Sequence, residues 1–130
     1  MAYYKKKAGD NPAAYGAAIT AIDKFDQDAP EIWRILHNAS LELKQHEKPY
    51  ELSKRYIAKR EKLDISLVET FIGSCLHLRG DFAKDGVKFL ENTKFNWMEN
   101  GILVGLAAQL YYVAHGNIQK ALELNKLVST

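Results

Sequence analysis

Apolar residues recur every three or four positions along most of the chain, and no stretch alternates long enough to be a strand. The spacing predicts an all-α fold, a bundle of about six or seven helices in antiparallel hairpins. After a basic tail, Asn11 can cap a helix with Pro12 at its first position, where a missing N–H costs nothing. Tyr15, Ala18, Ile19, Ile22 and Phe25 form its apolar stripe. Asp28 with Pro30 opens a second helix, with Ile32, Ile35, Leu36, Ala39 and Leu43 facing inward. Pro49 starts a third, turning Leu52, Tyr56 and Leu63 inward.

The second half carries clearer punctuation. Ser66 with Glu69 reads as a capping box, opening a helix that packs Val68, Phe71, Ile72 and Cys75. Gly80 can end it in the left-handed conformation, and Asp81 can cap the next helix, where Phe82, Gly86, Phe89 and Leu90 share a face. A second box, Asn96 with Glu99, precedes a helix from about Trp97 to His115. That helix is apolar nearly all round, so it is expected to be central and most buried. Gly116 stops it, and Asn117 caps a last helix carrying Ile118, Ala121, Leu122 and Val128.

Helix, Gly80-Asp81, helix is followed at an offset of 36 residues by helix, Gly116-Asn117, helix. Phe82 then aligns with Ile118, and Leu76 with Tyr112. The pattern resembles tetratricopeptide-type hairpins over about half the chain, without their tryptophan or their proline between repeats. Paired hairpins are also simply how helices pack.

The chain has 130 residues, of which 47% are apolar and 26% charged. That predicts a single helical domain over 11–130 behind a flexible basic tail at 1–10. One cysteine, Cys75, excludes an internal disulfide framework and fits a reducing compartment. The amino terminus has no apolar stretch after Lys5, Lys6 and Lys7, so a cytoplasmic location is expected. The longest apolar run, Gly101 to Ala114, is too short to span a bilayer and contains Gln109.

Candidate chemistry is sparse. No two of His37, His46, His77 and His115 sit at i, i+4, so neither a metal nor another cofactor is expected. Gly73-Ser74-Cys75 lacks the nucleophile-elbow pattern, and Cys75 falls on an apolar stripe, as a small inert hydrophobe would. Asp81 and Asp85 at a helix start complement the helix dipole rather than form an acid–base pair. The residues predict a protein that is not an enzyme. Gly101, Gly105 and Ala108 make a groove of small residues, read as internal packing ahead of a subunit contact.

Charge is uneven. Residues 1–62 hold twelve Lys and Arg against nine Asp and Glu, and residues 63–130 hold six against seven. From Lys44 to Lys62 seven cations face three carboxylates. Arg55, Lys59 and Lys62 fall at i, i+4 and i+7, Lys48 extends the line upstream, and Lys54 and Arg60 flank it. Such a line can follow a nucleic-acid backbone, with Tyr50, Tyr56 or Trp33 available for stacking. The plain alternative is a solvated helix face with pairs such as Glu51 and Arg55.

Phe71-Ile72-Gly73 and the stretch Phe89-Leu90-Glu91-Asn92-Thr93-Lys94-Phe95-Asn96-Trp97-Met98, followed by a long helix, carry a further resemblance. Over about sixty residues the chain resembles the helical carboxy-terminal part of the large subunit of type I CRISPR surveillance complexes, also made as a separate small subunit. The resemblance implies a non-catalytic antiviral-defence protein whose partners are other subunits and a nucleic-acid backbone. The alternative expectation is a tetratricopeptide-like adaptor that binds protein in a helical groove.

Overall fold

The structure, a computed structural model, describes the backbone of residues 11–129 and the side chains of residues 11–127. The lysines of the amino-terminal tail and the side chain of Val128 lie outside them. Among the described residues there are seven α-helices and no strand, the all-α architecture that the spacing predicts. They are α1 (Asn11–Phe25), α2 (Pro30–Leu43), α3 (Glu47–Lys59), α4 (Ile65–Leu78), α5 (Gly80–Asn92), α6 (Gly101–His115) and α7 (Ile118–Ser129). The chain divides after Thr70 into two compact units.

The first unit packs α1, α2 and α3 around Ala18, Ile22, Trp33, Leu36, Leu52, Tyr56 and Leu67. Tyr15, Ile19, Ile32, Ile57 and Leu63 close over this cluster. Two predicted inward residues are exposed instead. Phe25 ends α1 in solvent, and Ile35 is displaced because Trp33, at 0% exposure, takes the inner position on α2. The Trp33 indole N–H donates to the Asp28 carboxylate at 2.6 Å, and its ring meets Tyr56 edge-on at 5.7 Å between centroids. Asp28 is therefore occupied with the indole, and the cap position of α2 belongs to Ala29, with Pro30 following in the first turn. α3 begins at Glu47, two residues before Pro49. The proline sits within the first turn, where backbone N–H groups have no helical partner to lose.

α4 is capped by Asp64, whose side chain accepts from the Leu67 N–H at 2.9 Å, in place of the expected Ser66–Glu69 box. In the second unit Phe71, Ile72 and Cys75 of α4 are buried, as the stripe predicts. α4 and α5 are separated by Arg79 alone, at φ 62 and ψ −165, with Gly80 also at positive φ. Asp81 consequently lies inside α5 and does not cap it. Ala83, Gly86, Val87 and Leu90 form the buried face of α5, while Phe82 is exposed.

α6 packs against α5 on one side and α7 on the other. It starts later than expected: Trp97–Glu99 is a turn of 3-10 helix, and the cap is Asn100, accepting from the Leu103 N–H at 3.0 Å. Leu103, Val104, Ala107, Ala108, Leu110 and Tyr111 are buried, but Ile102 and Tyr112 face solvent despite the apolar sequence around them. Gly116 ends α6 in the left-handed conformation and the Asn117 carboxamide accepts from the Lys120 N–H, both as predicted. The last helix departs from its predicted face: Leu124 is buried, whereas Ile118 and Leu122 are exposed.

Candidate functional site

The basic face of α3 does not stand alone. The end of α1 and the segment after it bring carboxylates alongside it. The Arg55 guanidinium donates to Asp23 at 2.9 Å, and the Lys48 ammonium lies 3.5 Å from the same carboxylate. Lys59 stands 3.7 Å from Asp26 and over the Tyr56 ring. Arg60 reaches Asp64 at 2.7 Å and Asp28 at 3.5 Å. Lys54 lies 3.2 Å from the Tyr50 hydroxyl. Lys62 does not continue the helical line as expected, because α3 ends at Lys59 with Arg60 extended, and it makes no ion pair among the described residues. Thus Lys48, Arg55, Lys59 and Arg60, four of the six expected contacts, are met by Asp23, Asp26, Asp28 and Asp64.

Ionisation is shifted at Asp23, Arg55, Asp26 and Tyr56. The hydrogen bond from Arg55 holds the Asp23 carboxyl below the usual carboxylate range, and the same bond raises the guanidinium further. Asp26 is lowered by a hydrogen bond from the Tyr56 hydroxyl and then by Lys59. Burial, reinforced by that bond to Asp26, pushes the Tyr56 phenol up to about 12. The carboxylates remain charged near neutral pH, so the face presents pairs of opposite sign rather than an unbroken positive line.

The expected stacking platform is also missing. Trp33, Tyr50 and Tyr56 are all buried, with Tyr56 the supporting floor of the ion pairs and Trp33 wholly inside the core. A base cannot reach the faces of these rings in this conformation. The signal for the acidic edge was in the sequence: Asp23, Asp26 and Asp28 lie within six residues, ahead of the proline that opens α2.

Other candidates resolve into structural roles. Cys75 and Ser74 are buried on α4. The His77 ring contacts the Gly73 carbonyl at 2.8 Å, and His37 lies 3.6 Å from Glu69, whose carboxyl is raised by burial. Among the described residues no three metal-ligating side chains converge. No helix among them is long and apolar enough to cross a membrane.

Of the small-residue groove only Ala108 is buried. A methyl group at Gly101 or Gly105 would touch nothing within 4 Å, so internal packing does not use those two glycines. The close approach is at Gly86, where an added Cβ would lie 2.9 Å from Cys75 Cβ and 2.7 Å from Leu110 Cδ2. Of the positions aligned by the 36-residue offset, Phe82 and Ile118 are both exposed, whereas Leu76 is buried and Tyr112 exposed.

What the second unit does present is apolar surface. Ile118 (57% exposed) and Leu122 (56%) lie one turn apart on α7, and Tyr112 (56%) projects from α6. Beside Tyr112 an open recess of about 380 Å³ is lined by Ala108, Gln109, Val113, Ala121, Asn125 and Arg79. Comparison of the chain with family models, with curated proteins and with solved structures returned no match.

Proposed function

We propose that the protein is a non-catalytic helical subunit of a larger assembly, joined to a protein neighbour through the exposed apolar side chains of α6 and α7. One observation carries the reading: Ile118, Leu122 and Tyr112 are each more than half exposed, the first two one turn apart on α7. Single exposed apolar residues are ordinary, but a pair one turn apart on the same helix is a feature that interface patches share. Burying such side chains contributes roughly 1.5–3 kcal/mol each before the costs of association.

A second reading, contact with a nucleic-acid backbone, is favoured by the cation that the carboxylates leave over. This is Lys62, exposed and without an ion pair among the described residues, with Lys54 also exposed at the side of α3. Exposed ion pairs contribute little, so phosphates can compete for Lys48, Arg55, Lys59 and Arg60 as well. A small subunit of a type I CRISPR surveillance complex is the assembly in which both contacts would be used, and the resemblance at Phe71-Ile72-Gly73 and Phe89–Met98 supports that form of the proposal. The tetratricopeptide-like adaptor shares the protein contact and lacks the nucleic-acid one.

The deciding experiment is purification of the tagged protein from its source cells at low and high salt, with and without nuclease. The protein contact predicts partners that survive both treatments and are lost in Ile118→Asp/Leu122→Asp. The backbone contact predicts partners lost to salt and nuclease, and lost in Lys54→Gln/Lys62→Gln. Retention of every partner by both double variants would refute both readings.

A further inference from the structure

The recess between α6 and α7 has a property that an apolar patch alone lacks. It is lined by the apolar Ala108, Val113 and Ala121, by Gln109, Asn125 and Tyr112, and by Arg79, the one charged residue among the described lining residues. Among the described residues no carboxylate lines it, and α6 contains no Asp, Glu, Lys or Arg along its length. The Arg79 side chain is exposed and makes no hydrogen bond or ion pair among the described residues, unlike Arg55 and Arg60 of the first unit.

The position is a costly one for arginine. At φ 62 and ψ −165 a side chain crowds its own backbone, and glycine alone adopts this conformation cheaply. Asp26 and Lys44 also stand at positive φ, but Lys44, at ψ 39, is in the ordinary left-handed region, whereas ψ −165 puts Arg79 outside it. Arginine therefore stands here against the local preference. A planar guanidinium at the edge of a small apolar floor is suited to hold a carboxylate in two parallel hydrogen bonds while the adjacent carbon chain rests on the floor.

We infer that this recess binds a short segment of a partner protein consisting of an aliphatic side chain followed by a carboxylate, the carboxylate on Arg79 and the aliphatic group on Ala108, Val113 and Ala121. The inference deepens the docking reading above and rests on it. The volume of about 380 Å³ fits one large side chain with its peptide units. Charge complementarity selects the acid, since a cationic segment would meet Arg79 with nothing to offset it.

The test uses the full chain and a defined probe, N-acetyl-leucyl-aspartate, with N-acetyl-leucyl-asparagine as its uncharged counterpart. Two-dimensional amide NMR follows the titration to about 20 mM, above the millimolar range in which so small a ligand binds. Saturable shifts centred on Arg79, Gln109, Val113 and Ala121 are expected, at least tenfold weaker with the asparagine probe. Arg79→Gly should lose the response to the same degree without a lower melting temperature, because glycine relieves the backbone. Absence of saturable shifts, or an equal response from the asparagine probe or from Arg79→Gly, would overturn the inference. A response that vanishes with rising protein concentration as dimers form would do so too, because a second copy would then be the occupant. The docking reading is judged separately, by whether Ile118→Asp/Leu122→Asp keeps its partners.

Discussion

Replacing Gly86 with alanine probes the closest helix contact in the second unit. Gly86 lies on the buried face of α5, where α5 passes over both α4 and α6. The new Cβ would lie 2.9 Å from the Cys75 Cβ and 2.7 Å from the Leu110 Cδ2, both inside the range that real carbon contacts avoid. Leu110 is fully buried, so its methyl can retreat only by disturbing its neighbours, and the Cys75 Cβ moves only with the backbone of α4. Overpacking of this kind costs about 1–3 kcal/mol, while exchanging glycine for alanine in a helix returns up to about 1 kcal/mol. The expected net loss is about 1–2 kcal/mol. Gly105→Ala is the control: it lies inside α6, its Cβ would touch nothing within 4 Å, and the same exchange should gain about 0.5–1 kcal/mol. Urea unfolding followed by circular dichroism, at unchanged slope, measures both. Gly86→Ala with Leu110→Ala should be less destabilising than the sum of the two, since the shorter side chain makes room. A gain in stability from Gly86→Ala would refute the close packing of α5 on α4 and α6.

Leu110→Ala alone should cost about 2–5 kcal/mol in the same assay, and half-buried Leu106→Ala clearly less; equal losses would contradict the burial pattern of α6. Tyr56 and Tyr111, both raised to about 12, should ionise last in an absorbance titration at 295 nm, and Tyr56→Phe and Tyr111→Phe should each remove one late phenol. Because the folded phenols ionise above the ordinary value of 10, the stability they give is complete below pH 10 and drains away as pH rises towards 12. Asp23 and Asp26 work in the opposite direction: their lowered values give stability above the ordinary carboxyl value of 3.8 that is lost as the solution is acidified below it. Arg55→Gln should weaken that acid dependence, and an unchanged acid transition would show that the Asp23 pair contributes nothing to folding.

Much of the fold was legible in the spacing of apolar residues, because amphipathic stripes and helix stops are local. The core positions Ala18, Ile22, Leu36, Leu52, Val68 and Cys75 were found this way, as were Gly116 and Asn117, whose roles depend only on their own turn. Caps were less secure. Asp64 and Asn100 do the work expected of Ser66 and Asn96, since any acceptor near a helix start competes for the same N–H groups and helix packing picks the winner. Tertiary structure alone decided the candidate site. Spacing put Arg55, Lys59 and Lys62 on one helix face, but α3 ends at Lys59 and leaves Lys62 beyond it, and spacing could not place Asp23, Asp26 and Asp28 beside that face, because they arrive from α1 and the segment after it. Nor could it tell that Trp33 is enclosed while Ile118 and Leu122 are left in solvent. Hydrophobicity says which side chains gain from leaving water; which of them find a neighbour is fixed only when helices distant in sequence pack together.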